Sequence, residues 1–308
     1  MQRIRQAPSI LAITLAVFFT AAGARAESAA PQAPIAQQHL GTFPVTATAA
    51  PTTQPLYLVP VVIPTIVTEK GPLLVHLPGI GGGRACDRRM VAGLRDGGLE
   101  VNVEQYDWTE HDPGIHALRA QERNLKEAQH VADMLKAHLA ADPASPLYLT
   151  GHSGGCGIAV WALERLPDNV TVDDVLLMAP ALSPTYDLTR ALRHVRGHLY
   201  AFSSVHDTLV LYTGTKMFGT MDGIQVEAAG YSGFVRPSTA DRVQYQKLVS
   251  RPYDDQWSQL GNWGDHIGAM ARPFASAILA PLLHAPGLTP TTKPTAQTAI
   301  PAAGPSVQ

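Results

Sequence analysis

A chain of 308 residues with 45% hydrophobic content is long enough to build one large core. Its 23 Lys and Arg against 25 Asp and Glu give a formal net charge of −2. That balance, without a clustered basic stripe, excludes a surface made for phosphate backbones. The densest basic cluster, Arg84 with Arg88 and Arg89, is brief and reads as a solvated helix face.

Met1 to Ala26 reads as an export signal, with Arg3 and Arg5, an apolar stretch from Ile10 to Ala22, and Ala24-Arg25-Ala26 as a small-x-small cleavage site. The expected mature start lies near Glu27, and the expected location is periplasmic or secreted. The competing reading is an uncleaved anchor, but the apolar stretch is short for a bilayer span of about 20 residues. Loss of Arg3, Arg5 and Arg25 would bring the net charge to about −5. Residues 27–55, rich in Ala, Pro, Gln and Thr, read as a linker. The same composition returns over 286–308, where Pro290, Pro294, Pro301 and Pro305 are too closely spaced for helix or central strand, so a disordered tail is expected. Residues 56–285 remain as one domain of roughly 230 residues, a size common for a single covered sheet.

Within that domain, β-rich apolar runs alternate with helical patterns. Strands are expected at Leu56 to Val67, Leu73 to Leu77 and Val101 to Tyr106, followed by a helix from Ala117 to Ala141. Then come a strand at Leu147 to Thr150, a helix from Cys156 to Leu166 and a strand at Val175 to Met178. A helix near Leu188 to Val195, a strand at Leu199 to Phe202, a helix around Leu209 to Phe218 and a strand at Ile224 to Ala228 complete the series before a last helix over Gly268 to Leu283. Alternation of this kind implies an α/β architecture, a mostly parallel central sheet covered by helices on both faces. Ligands then bind at the carboxyl ends of the strands.

Gly151-His152-Ser153-Gly154-Gly155 lies at such an end, between strand and helix. A turn that tight needs glycine on both sides of the serine, because a Cβ would meet neighbouring backbone. A serine hydroxyl is a weak nucleophile at neutral pH and requires an imidazole base with a group to orient it. Asp207 follows the second strand after Ser153, and His266 sits in the glycine-flanked loop Gly264-Asp265-His266-Ile267-Gly268. Asp207 is also a good helix cap before Thr208 and Leu209. Asp187 and Asp222 are alternative acids, and His206 is an alternative base whose adjacency to Asp207 points the two side chains apart. The same adjacency argues against Asp265 as the partner of His266. His76 and His152 read as packing or pocket-wall residues, and His111, His116 and His130 as surface positions. No pair of histidines has convincing zinc spacing, so neither a metal nor an organic cofactor is expected.

The order Ser153, Asp207, His266, with the serine at a strand-to-helix elbow, resembles the α/β-hydrolase superfamily over about residues 56 to 284. The resemblance implies a serine hydrolase acting on small ester or acyl substrates through an acyl-enzyme, most simply a carboxylic ester hydrolase. A lipase, thioesterase, peptidase or acyltransferase on the same residues, or a binding protein that kept only the fold, are the alternatives. It also implies an oxyanion hole from the backbone N–H groups of Gly154 and Ile80, or Gly81 in place of Ile80, within His76-Leu77-Pro78-Gly79-Ile80-Gly81-Gly82-Gly83. The segment before Leu199 is too short for a large cap domain. The stretch from Tyr231 to Gly264 carries Tyr231, Phe234, Tyr245, Tyr253, Trp257 and Trp263, which read either as wall packing or as the lining of an acyl pocket. Asp107 and Trp108 could contribute to the same lining. Neither nucleic acid nor stable membrane insertion after signal removal is expected. Cys86 and Cys156 are the only cysteines, and export makes a bridge between them a possible disulfide at the crevice.

Overall fold

The structure, a computed structural model, describes residues 70–110, 112 and 114–283. The expected export signal, linker, tail and strand over Leu56 to Val67 lie outside the described residues, as does His111. The chain runs β1 (Leu73–Leu77), α1 (Ala85–Asp96), β2 (Asn102–Gln105), α2 (Ile115–Arg119), α3 (Gln121–Ala141), β3 (Leu147–His152) and α4 (Gly154–Leu163). It continues with β4 (Asp174–Met178), α5 (Thr189–Arg193), β5 (Leu199–Ser203), α6 (Thr215–Phe218), α7 (Ala229–Ser232), β6 (Leu248–Pro252) and α8 (Arg272–Phe274).

The six strands form one parallel sheet in the order β2-β1-β3-β4-β5-β6. Every residue of β3 and β4 is buried, as strands covered on both faces require. Alternate side chains divide the core in two. Val75, Leu77, Leu149, Val175 and Leu177 pack with Val131 and Leu135 of α3 and with α4. Leu74, Tyr148, Leu176, Met178 and Phe202 pack on the other face with Met90 and Leu94 of α1 and with Phe274, Leu279 and Leu283 near the end of the described chain. Each buried Leu contributes about 1.5–3 kcal/mol. The segment between β4 and β5 holds only the short α5, so among the described residues it forms no large cap.

The strand order fixes where a ligand can enter. The chain leaves β1 toward the edge at β2, returns to β3 beside β1, and leaves β3 in the opposite direction toward β4. The crevice between the carboxyl ends of β1 and β3 is therefore the switch point of the sheet.

Four expected elements differ. The helix expected over Ala117 to Ala141 divides at Ala120 into α2 and α3. Ile224 to Ala228 forms no strand: Ile224 is half exposed and its carbonyl closes a turn to Thr220 N–H at 2.9 Å. The sixth strand is instead Leu248–Pro252, which pairs Leu199 with Leu248 at the sheet edge. Its Ser250, Arg251 and Pro252 suit an edge but carry little apolar pattern. The last helix is not continuous: a 3-10 turn at Gly268–Met270, α8, a π-helical turn at Ala275–Leu279 and a 3-10 turn at Ala280–Leu283 follow one another. Pro273 stands in the first turn of α8, where its missing N–H has no intrahelical partner to lose, whereas Pro281 removes a donor within the final 3-10 turn. Likewise the run after Asp207 begins as a π-helical segment, Thr208–Gly214, before α6.

Candidate active site

Ser153 caps α4 with φ 53° and ψ −120°, a conformation that costs a non-glycine residue about 1–3 kcal/mol. The surrounding backbone holds it there. Its N–H donates to Met178 O at 2.9 Å, and its carbonyl accepts from Cys156 N–H at 3.1 Å and Ala181 N–H at 3.2 Å. A Cβ at Gly151 would lie 2.8 Å from Cys156 N, and one at Gly155 would lie 2.2 Å from Leu77 O, so side chains are excluded on both flanks.

Asp207 stands four residues beyond β5, buried, in a turn closed by its own N–H on Ser204 O at 3.1 Å. Its Oδ1 accepts from Leu211 N–H at 3.4 Å, capping the segment that follows, while Oδ2 accepts from His266 Nδ1–H at 2.6 Å. His266 sits in a loop fixed by Gly264 N–H on Asn262 Oδ1 and by Gly268 N–H on Asp265 O, both at 3.0 Å. A carboxylate only accepts, so the neutral ring carries its proton on Nδ1 and presents a lone pair on Nε2. That lone pair faces the Ser153 hydroxyl, with Oγ at 3.0 Å. The parallel sheet, its switch point and a strained serine between β3 and α4 settle the architecture. This is the α/β-hydrolase fold.

Solved structures of similar course include Aspergillus fumigatus lipase B, 13% identical over 68% of this chain, with a TM-score of 0.43. The match spans about half, 52%, of that lipase. A cutinase-like protein from Cryptococcus sp. is 15% identical over 70% of this chain and 97% of its own, with a TM-score of 0.35. A dienelactone hydrolase from Anabaena variabilis is 16% identical over 69% and 85%, with a TM-score of 0.38. At these identities the likeness concerns the course of the chain alone. No protein-family model matches the sequence, and no curated protein is similar to it in sequence.

The α/β-hydrolase fold also brings the loop after β1 against Ser153. Gly82 N–H closes a turn on Gly79 O at 3.2 Å, leaving the N–H groups of Ile80 and Gly81 outside that bond. Gly79 comes so near that a Cβ there would lie 3.3 Å from Ser153 Cβ, and Ile80 Cγ2 reaches 3.2 Å from the Cβ position of Gly154. Gly154 N–H is one of the helix-initial donors that α4 leaves without an intrahelical partner. The loop is pinned at both ends by a buried pair: His76, in β1, bonds through Nε2 to Asp87 Oδ1 in α1 at 2.9 Å, and through Nδ1 to Thr150 Oγ1 in β3 at 2.9 Å. Burial raises the Asp87 carboxyl, but the His76 contact and the Arg84 N–H hold it down to about 2.

The competing residues lie elsewhere. Asp187 accepts from Thr189 N–H at 2.9 Å, Asp222 from Ser183 N–H at 2.9 Å, and His206 is exposed against the Tyr253 ring at 4.9 Å. His130, expected on the surface, stacks on Tyr106 at 5.3 Å. The aromatic residues of 231–263 divide. Tyr245 is buried and accepts Leu188 N–H, and Trp257 packs on Phe202 and Phe274, so both belong to the walls. Trp263 is 67% exposed. Trp108 is fully buried under the loop after β1.

Of the two readings of Cys86 and Cys156, a bridge or two free thiols, the structure has the second: both cysteines are free. Cys86 packs with the core on one face of the sheet and Cys156 lies in the core on the other, so the strands stand between them. Cys156 Sγ–H donates to Met178 O, and Cys86 Sγ–H to Asp87 Oδ2. His152, read from sequence as packing, does more than fill space: its Nε2–H donates to the carbonyl of His266 at 2.8 Å. Its place within the elbow was the signal available. The partner, 114 residues later, carried none.

Proposed function

We propose that this chain is an exported serine hydrolase cleaving carboxylic esters through an acyl-enzyme. The observation that carries the reading is the unbroken relay Asp207 Oδ2, His266, Ser153 Oγ at 2.6 and 3.0 Å, ending on a strained serine. In this reading His266 Nε2 takes the hydroxyl proton as Ser153 Oγ bonds to the acyl carbon. Asp207 holds the ring with Nδ1 protonated and stabilises the imidazolium that forms. Charge on the carbonyl oxygen meets the N–H of Gly154 and that of Ile80, with Gly81 as the alternative donor. His266 then returns the proton to the leaving alcohol, and a water activated by the same nitrogen releases the acid.

Val205, Leu209, Trp263 and Ile267 are exposed apolar residues within three positions of Asp207 or His266. Exposed apolar side chains flanking the acid and the base along the chain favour, in this reading, substrates with an apolar acyl or alcohol part. Among the described residues no helix is long and apolar enough to cross a membrane.

A fluorophosphonate probe tests the enzyme class: a covalent adduct on the Ser153 peptide is expected, and an unlabelled native protein overturns the reading. A parallel panel of matched ester, thioester and anilide substrates tests the bond, with the ester expected to turn over fastest. Amino-terminal sequencing of the exported protein, expected to begin near Glu27, tests the location.

A further inference from the structure

His152 occupies the centre of three converging segments. It follows Gly151 at the end of β3, its Nδ1 lies 3.1 Å from where a Gly79 Cβ would stand, and its Nε2 lies 2.8 Å from His266 O. A backbone carbonyl can only accept, so the His152 proton sits on Nε2. The ring is 5% exposed and its centroid is 5.0 Å from that of His266, tilted by 45°. The charged or titratable groups that act on it are His266 from the loop before Gly268, and His76 and Asp87 from β1 and α1. Burial first, and the His266 ring next, push His152 down to about 4, so it stands neutral beside the reacting imidazole.

We propose that His152 is a positioning residue: its Nε2–H anchors the His266 carbonyl and thereby holds the His266 ring between Asp207 and Ser153. This rests on the hydrolase reading above for its meaning but not for its test. The backbone of His266 is otherwise held through its neighbours, by Gly264 on Asn262 and Gly268 on Asp265. Those bonds fix the ends of the loop. The His152 bond fixes the residue that carries the ring, and it ties that residue to the strand that carries Ser153. Loss of the donor would let the ring drift relative to both neighbours, and a displacement near 1 Å at such a centre costs up to about a hundredfold in rate.

Side-chain amides provide the test. The Gln amide nitrogen reaches the place of an imidazole Nε2, whereas the shorter Asn places its nitrogen near Nδ1. His152→Asn and His152→Leu are expected to lower kcat roughly 30-fold with KM within twofold, and His152→Gln to restore most of that loss. In the full-length protein the downfield proton resonance of His266 Nδ1–H, assigned by its absence from His266→Ala, should broaden or move in Asn and Leu and stay in place in Gln. Equal kcat and an unmoved resonance in Gln and Asn overturn the proposal, as does a fall in Tm alone. If Leu fails to fold, the Gln and Asn pair still decides. A wild-type protein that the fluorophosphonate does not label sinks the hydrolase reading, while the resonance comparison judges the His152 anchor independently.

Discussion

The indole Nε1–H of Trp108 donates to the carbonyl oxygen of Pro78 at 2.7 Å, so the segment after β2 props the loop after β1. The same ring lies 3.1 Å from the Cβ position of Gly154 and thus touches both sides of the proposed oxyanion hole. Trp108→Phe keeps most of the ring and removes the donor. An unsatisfied buried carbonyl costs about 1–3 kcal/mol, so a measurable fall in Tm is expected. Because the carbonyl belongs to the loop that carries Ile80, kcat should fall roughly tenfold with KM little changed. Steady-state kinetics with thermal melts check both. An unchanged kcat at lowered Tm would confine Trp108 to packing.

Gly79 and Gly81 differ in why they exclude side chains. A Cβ at Gly79 would press 3.1 Å from His152 Nδ1 and 3.3 Å from Ser153 Cβ, whereas Gly81 adopts φ +87°, which a β-branched residue resists. Gly79→Val and Gly81→Val should each displace the loop and lower kcat on the order of 100-fold, the scale of one lost oxyanion donor. The loop packs at the surface end of the sheet, so Tm should fall by only a few degrees. Turnover equal to wild type in both variants would remove this loop from the mechanism.

Asp207 and Asp265 both stand near His266, but only Asp207 bonds to the ring. Asp265 holds Gly268 N–H through its main-chain carbonyl, and burial together with the Asp207 charge raises its carboxyl above the ordinary range. Asp207→Asn would turn the Nδ1 partner from an acceptor into an amide and permit the wrong tautomer, with a loss of about ten-thousand-fold in kcat by analogy with the Ser-His-Asp template. Asp265→Asn should stay within about threefold, because it leaves the ring's partner in place. Kinetics on the two purified variants would reveal a reversed order at once.

Most of the sheet is legible in the sequence because its central strands are buried on both faces. Leu73-Leu74-Val75 and Val175-Leu176-Leu177 are apolar without interruption. β6 was not legible, since Ser250, Arg251 and Pro252 pattern like a loop and only the edge position makes them a strand. Ile224-Gln225-Val226 gave the opposite error, an apolar alternation that the structure leaves in a turn. For the site, Ser153, Asp207 and His266 stand out by local context, each at a strand end or beside glycines. The bonds that hold them, from Trp108 to Pro78 and from His152 to His266, join distant segments through main-chain carbonyls. A carbonyl has no residue type to read. The Cys86 and Cys156 pairing failed for a related reason: nearness to one crevice did not reveal that the two thiols face opposite sides of the sheet.

Those thiols give a direct prediction. Burial first, then the neighbouring Asp87 charge, raises the Cys86 thiol, and burial holds Cys156 well above the ordinary range. Both therefore remain thiols at neutral pH and react slowly in the folded protein. Labelling after denaturation without reductant should find two reactive thiols, and labelling of native protein should modify Cys86 ahead of Cys156. A denatured protein with no reactive thiol would restore the bridge.

His152 gives stability a defined dependence on pH. Its folded value is about 4, pushed below the ordinary 6.5 by burial and then by His266. Above pH 6.5 neither the folded nor the unfolded imidazole holds the extra proton, and the group contributes nothing to the slope. As pH falls from 6.5 toward 4 the unfolded chain takes up the proton and the folded one does not, so stability declines on acidification. The accumulated loss at pH 4 is on the order of 3 kcal/mol. Asp87 acts in a lower window: its folded value of about 2 against an ordinary 3.8 supplies stability that is present above 3.8 and lost as pH falls toward 2. Urea denaturation at pH 7.5, 6, 5 and 4.5 separates the two, because His152→Gln cannot titrate. The wild type should lose stability relative to His152→Gln through this range, the difference growing steadily toward pH 4.5. A difference that stays constant with pH would mean that His152 takes its proton in the folded protein at the ordinary value.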